Sequence, residues 1–241
     1  MLKMKIRKIL RKILESFGIN SGIRHQLMDN NPFLRQSKLI KNKNPTIFDL
    51  GAHEGESLNQ YKKLWNDEVR IYSFEASTRN FNILYHKFNG MKNVKLEHKA
   101  VSNFNGKIEF NINKSSFTNS ILPSIDLSDE RLENVATESV DAITIDKYCK
   151  EHNISKIDIM KIDVQGAEML VLEGSEEMLK NGNISLIYLE ICFKNQYKNQ
   201  VSFADIFNLL IKFKFRLINL YDFSYTEHKE LRYADAIFYR E

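Results

Sequence analysis

The chain has 241 residues, 43% of them apolar and 27% charged. That balance suits a globular protein with one large α/β domain and a smaller appendage. Lysines and arginines number 35 against 31 aspartates and glutamates, a net charge of +4. This is too mild to argue for nucleic acid, and no basic stripe with interleaved aromatics accompanies it. Cys149 and Cys192 are the only cysteines. They lack metal-ligand spacing and read as free thiols of a reducing compartment, so no metal is expected. No apolar run approaches a bilayer span, and Lys8, Arg11 and Lys12 interrupt any signal-peptide core. The expected location is the cytoplasm.

Residues 1–45 read as an appendage. Ile6, Ile9, Leu10, Ile13, Leu14 and Phe17 recur at helical spacing opposite Lys5, Lys8, Arg11 and Lys12. Such a helix packs its stripe on the main domain or lies on a membrane surface through residues 1–20, peripherally at the inner face. From Asn20 to Lys43 the chain is polar with no clear period, and it reads as a linker or a cover for the active site. The domain proper begins at Thr46, and Ile47-Phe48 leads into Asp49-Leu50-Gly51-Ala52-His53-Glu54-Gly55. Strand, glycine turn and helix open a nucleotide-binding α/β sheet, whose ligand sits beyond the carboxyl end of the first strand. Asp49, Glu54 and Glu56 crowd this turn. They would repel a pyrophosphate and welcome a cation, which favours the sulfonium of S-adenosylmethionine over NAD.

Leu58, Tyr61, Leu64 and Trp65 continue as a helix, and Val69–Phe74 forms a second strand closed by Glu75. That carboxylate lies about 25 residues past the turn, near the offset at which an acidic residue grips a ribose diol. Its bland alternative is a solvated carboxylate at a helix start. Phe81, Leu84, Tyr85 and Phe88 mark the next helix, and Val94–Val101 the third strand. Residues 106–145 interrupt the β/α alternation with a substrate-side insertion. Residues 107–112 alternate strictly, Val140–Ile145 is extended, and a polar loop carries Asn119 and Ser120 as candidate substrate contacts. Ile157–Asp163 is the fourth core strand, and a helix from Gly166 runs to about Lys180. Ile184–Ile191 reads as a strand covered on both faces. After a helix over 203–213, Phe215–Tyr221 and Ala234–Tyr239 close the sheet as an antiparallel pair. The total is seven core strands.

Asp49, Glu75, Asp163 and Glu190 all end core strands at one edge, where carboxylates are poorly solvated unless a ligand fills the cleft. Lys161 shares the face of Asp163, either as a structural ion pair or as a group facing the substrate. Glu168 either satisfies a helix dipole or faces the cleft, and His53 is either a hydrogen-bonded turn residue or a titratable base.

Several stretches resemble one family in the right order over residues 46–191. They are Ile47 to Gly55, Phe74-Glu75-Ala76, Ala100-Val101-Ser102-Asn103, Ile143-Thr144-Ile145-Asp146 and Lys161-Ile162-Asp163-Val164-Gln165-Gly166-Ala167-Glu168. The family is that of the FkbM-type methyltransferases. The resemblance implies the Rossmann-like seven-stranded sheet of class I methyltransferases, parallel with an antiparallel last strand, over residues 46–241. It implies transfer of methyl from S-adenosylmethionine to a hydroxyl of a sugar, glycan precursor or related small molecule. Carried over, Asp49 and Gly51 lie beside the methionine part of the cofactor, with Ala52, Glu54, Gly55 and Ala76 completing its surroundings. Glu75 holds the ribose, Ala100 and Val101 flank the adenine, and Asp163 sits near the methyl. The family usually has asparagine at position 53, an apolar residue at 54 and proline at 76. The expected reaction is in-line attack of an acceptor oxygen on the sulfonium methyl, with Asp163 as first choice of base and Glu168 and His53 as alternatives. A nicotinamide oxidoreductase is disfavoured by the missing Gly-x-Gly-x-x-Gly. A membrane-associated binding module with a degenerate cofactor pocket is the third alternative.

Overall fold

The computed structural model describes residues 30–125 and 129–241. The basic amphipathic stretch expected over residues 4–17, and with it the membrane-contact expectation, lies outside the described residues. The chain order is α1 (Pro32–Leu39), β1 (Thr46–Leu50), α2 (Glu56–Trp65), β2 (Arg70–Glu75), α3 (Thr78–Phe88), β3 (Val94–His98), β4 (Ala100–Val101), β5 (Gly106–Asn113) and β6 (Asn134–Ile143). Then come α4 (Ile145–Glu151), β7 (Ile157–Ile162), α5 (Glu168–Glu173), α6 (Glu176–Lys180), β8 (Ile184–Cys192), α7 (Phe203–Lys212), β9 (Arg216–Tyr225) and β10 (Leu231–Tyr239).

Seven strands form one sheet in the order β3-β2-β1-β7-β8-β10-β9. All neighbours pair in parallel except β10, which runs antiparallel to both β8 and β9. The central strands β1 and β7 are buried along their whole length, as a sheet covered on both faces requires. Alternation divides β1 between two cores. Phe48 and Leu50 join the cluster under α4 to α7, whereas Ile47 joins the cluster with Leu58, Tyr61 and Leu84 of α2 and α3. Asp49 shares the Ile47 face, beneath α2.

Four expectations need correction. The stretch 94–101 is two strands: β3 stays on the edge of the large sheet, while β4 joins a second sheet in the order β4-β6-β5. Lys99 separates them, and Ala100 and Val101 pair with Ala142 and Ile143. The helix expected to reach Lys180 is broken at Gly174 into α5 and α6. A Cβ at Gly174 would collide with the Ser102 carbonyl oxygen, so only glycine admits this approach of helix to loop. The extended piece expected to end at Ile145 stops at Ile143, because the Thr144 side chain caps α4 by accepting from Lys147 N. The stretch before Lys43 contains α1, capped by Asn31 with Pro32 at its first position. Phe33 of α1 packs edge-on against Tyr61 and Tyr188.

Candidate active site

The turn after β1 is hooked onto the end of β2. Gly51 N and Ala52 N both donate to the Phe74 carbonyl, and His53 N donates to Glu75 Oε2 at 2.8 Å. Gly51 has φ +77°, and a Cβ there would strike the backbone carbonyl of Asp163. The two turns that follow β1 and β7 therefore touch through this glycine. Above them opens a cavity of about 480 Å³. It is bounded on one side by the Gly51 turn and the ends of β2 and β4, and on the other by the 115–119 loop, Gln196 and Tyr233.

The predicted residues divide sharply. Gly51, His53, Glu75, Ala76, Ala100, Val101, Asn119, Asp163 and Glu190 line the cavity. Asp49, Ala52, Glu54, Gly55, Ser120, Lys161 and Glu168 are not among its lining residues. Asp49 is fully buried, accepts from Ser57 Oγ at 2.7 Å and pairs with Lys161 Nζ at 3.4 Å. Strand register explains this: Asp49 pairs with Lys161, and Lys161 with Tyr188, in one row across β1, β7 and β8. Lys161 also reaches Asp163 Oδ2 at 3.3 Å. Burial pulls its ammonium down, but Asp163 and Asp49 together hold it above its ordinary value. Burial raises the Asp49 carboxyl against the pull of Lys161. Lys161 is thus a buried brace behind the cavity wall. Glu54 turns outward to Lys87 at 2.8 Å. Gly55 lies against Phe88 and Leu84 of α3. The side chain of Ser120 donates to the Gln165 carbonyl. Glu168 is buried and accepts from Gly166 N. Burial pushes its carboxyl up to about 7 against that bond. As a base it is badly placed, because the acceptor would have to reach it through the wall.

Glu75 closes β2 with Oε1 accepting from Ser77 N and Oε2 from His53 N, both at 2.8 Å. Burial pushes it up to about 7, against the lowering by these two N–H donors. Each oxygen keeps a lone pair for a further donor. His53 sits at φ +49° with Nε2 2.9 Å from Ser116 Oγ, and its ring stacks on Phe117 with centroids 4.2 Å apart. His53 is therefore a hydrogen-bonded turn residue that also lines the cavity.

Gln165 belongs to the Lys161-to-Glu168 motif, and the sequence alone assigns its side chain no role. It has φ +53°, and its Nε2 donates to Asp163 Oδ1 at 2.9 Å and to Glu190 Oε1 at 3.4 Å. Tyr197 OH lies 3.3 Å from Gln165 Oε1. A non-glycine residue held in the left-handed region within a ligand cavity is stored strain of the kind found at functional sites. Arg131, Gln196 and Tyr233 were also missed, because they arrive from separate loops and a distant strand.

A mostly parallel seven-stranded sheet with one antiparallel strand, and a cavity at its carboxyl edge, is the architecture of a class I methyltransferase. The sequence comparisons agree. The model described as "Methyltransferase FkbM domain" matches residues 49–217, and the chain belongs to that family. A curated relative, the 2-O-methyltransferase NoeI of Sinorhizobium fredii (strain NBRC 101917 / NGR234), is 26% identical over 185 residues. The match covers 73% of this chain and 75% of NoeI. Among solved structures, fibrillarin of Aeropyrum pernix in complex with S-adenosyl-L-methionine aligns with a TM-score of 0.48 at 10% identity, covering 83% of this chain and 68% of that one. Precorrin-6y C5,15-methyltransferase of Geobacter metallireducens aligns with a TM-score of 0.47 at 9% identity, covering 87% of each chain. The protein is a methyltransferase of S-adenosylmethionine-dependent type. The nicotinamide alternative falls with that membership.

The residues present fit this donor. Gly51 lines the cavity and, lacking a side chain, lets the turns after β1 and β7 meet beneath it. Glu75 offers two oxygens where a ribose diol needs acceptors, and Ala76, Ala100 and Val101 supply small apolar walls for a flat base. Asp163 and Glu190 face the cavity with Lys161 behind them, and carboxyl groups there suit a sulfonium, which favours their ionised form. Among the described residues, no helix is long and apolar enough to cross a membrane.

Proposed function

We propose that the protein methylates a hydroxyl oxygen of a sugar, a glycan precursor or a related small molecule. The observation that carries this reading is the polarity of the cavity. Beside Glu75, Ala76, Ala100 and Val101, the lining includes a set of carboxylates and amides: Asp163, Glu190, Gln165, Asn119 and Gln196. Amides and carboxylates set around an aromatic face such as Phe117 or Tyr233 are what a polyhydroxylated acceptor needs, since each hydroxyl both donates and accepts. The name of NoeI, a 2-O-methyltransferase, supports oxygen as the nucleophile.

When bound, S-adenosylmethionine supplies an activated methyl group on a charged sulfur. The chain's own work is to align the acceptor with it and to take a proton. Glu75 would accept from the ribose hydroxyls, while Gly51 and His53 close the turn beneath. Asp163, fixed by Lys161 and Gln165, would hold the acceptor hydroxyl in line. The 115–119 loop and Tyr233 would cover the acceptor and limit water. Alignment of this sort is worth several kcal/mol of barrier.

The test is transfer of labelled methyl from S-adenosylmethionine into a panel of nucleotide sugars, glycan fragments and simple glycosides, with amines and thiols as controls. Label appearing as an ether on a sugar hydroxyl supports the reading. Label going only to nitrogen or sulfur acceptors would refute it.

A further inference from the structure

Asp163 and Glu190 both line the cavity, and they are not equivalent. Asp163 has both oxygens engaged, Oδ2 by Lys161 Nζ at 3.3 Å and Oδ1 by Gln165 Nε2 at 2.9 Å. Glu190, on β8, lines the same cavity and meets the same amide only at 3.4 Å. No ion pair among the described residues includes Glu190. Its charged neighbours are mostly of its own sign: Asp163 at the end of β7, Glu168 from α5 and Asp235 from β10. The cation facing it is Lys161, already shared between Asp49 and Asp163. Asp235 is itself engaged by the Tyr188 hydroxyl. Cys192 and Tyr197, whose thiol and phenol are raised by burial, are neutral neighbours.

We propose that Glu190, not Asp163, takes the proton of the acceptor hydroxyl, and that a cationic donor in the cavity readies Glu190 by drawing off its own proton first. This assignment rests on the methyl-transfer reading above. Burial, followed by Asp163, Glu168 and Asp235, raises the Glu190 carboxyl well above its ordinary value. It therefore prefers to be protonated until a positive charge arrives nearby, and an opposite charge a few ångströms away favours the ionised form. As the acceptor O–CH₃ bond forms, the S–CH₃ bond breaks and its electron pair stays on sulfur. The sulfonium becomes a neutral thioether, and the hydroxyl proton passes to a Glu190 carboxylate oxygen. With the positive charge gone, Glu190 again favours its proton, so the end state of the transfer is also the resting state of the residue. Asp163 then acts as a positioning residue whose Lys161 and Gln165 contacts hold the acceptor in line.

The test does not need the acceptor. Calorimetry at pH 7, in buffers of different ionisation enthalpy, counts protons released when S-adenosylmethionine or S-adenosylhomocysteine binds. Both ligands carry the same ribose, so the response of Glu75 to the diol cancels between them, and an excess that persists in Glu75→Gln excludes its response to the charge. The wild type should release more protons with the charged donor than with the neutral product. That excess should vanish in Glu190→Gln and persist in Asp163→Asn, and by linkage Glu190→Gln should weaken binding of the charged donor more than binding of the neutral product. Glu190→Asp, which keeps the carboxylate, should restore the excess. With an acceptor found in the panel, Glu190→Gln should lose about 10²–10⁴-fold in kcat. An excess that survives in Glu190→Gln, or disappears only in Asp163→Asn, would return the proton to Asp163 and overturn the assignment. A wild type that binds neither ligand would instead overturn the methyl-transfer reading beneath it.

Discussion

Glu168 shows how a carboxylate can be recognised correctly in sequence and still be given the wrong neighbourhood. Its place after Gly166 marks a helix start, where an anion is welcome. The fold turns it inward, onto Gly166 N and out of reach of the cavity. The energetic consequence has a definite sign. Burial lifts its folded-state carboxyl to about 7, whereas an unfolded glutamate titrates near 4.5. Between those values the unfolded chain has already lost a proton that the folded chain retains, so unfolding is favoured as pH rises through the window. The full effect is on the order of 3 kcal/mol, present below pH about 4.5 and lost by about pH 7. Glu168→Gln keeps an oxygen for Gly166 N and removes the titration. Thermal melts from pH 4.5 to 7.5 should show a shallower decline in this variant than in wild type, with the remaining slope owed in part to Glu75. An unchanged slope would mean that Glu168 is ionised in the fold.

Elements failed to match expectation where a single residue redirects the chain. Strict alternation in Lys107–Ile112 correctly announced a strand, since periodicity of two is a local property. Nothing local separates β3 from β4, because residues 94–101 are extended throughout and only pairing partners distinguish two sheets. The break between α5 and α6 is similar: Glu168 to Lys180 has a helical apolar period, and Gly174 within it looks merely permissive. Its role is steric, since Ser102 O approaches where a side chain would be. Gly174→Ala would raise helix propensity by about 1 kcal/mol in isolation. Here it should instead destabilise the protein, by about 2 kcal/mol or more, because the loop that carries Ser102 cannot withdraw without disturbing β4 and its pairing to β6. Denaturant titration would settle the sign. Stabilisation would show that the loop yields freely.

At the scale of the whole molecule, the donor site spans elements that meet only in the folded state, so donor binding and global stability should be linked. Donor at a hundred times its Kd adds about 2.7 kcal/mol to a protein that binds it only when folded. For a chain of this size that corresponds to a rise in Tm of about 5–10 °C. Glu75→Gln, which loses the charge but not the shape, should bind the donor about ten-fold or more weakly and show a much smaller rise at the same concentration. An equal rise in both proteins would remove Glu75 from ribose binding. The sequence alone determined the class of fold, the family, and the strand ends at which Glu75 and Asp163 stand, whereas Glu190, expected to end its strand, lies within β8 and pairs with Asp235. The sequence could do that much because strand periodicity, the glycine turn and the motif order are written in residues close together along the chain. Only the tertiary structure decided which carboxylates face the cavity and which serve as braces. Side-chain direction at a strand end depends on cross-strand register and on what packs behind it: Lys161 draws Asp49 inward, while the amide of Gln165 holds Asp163 and Glu190 at the cavity.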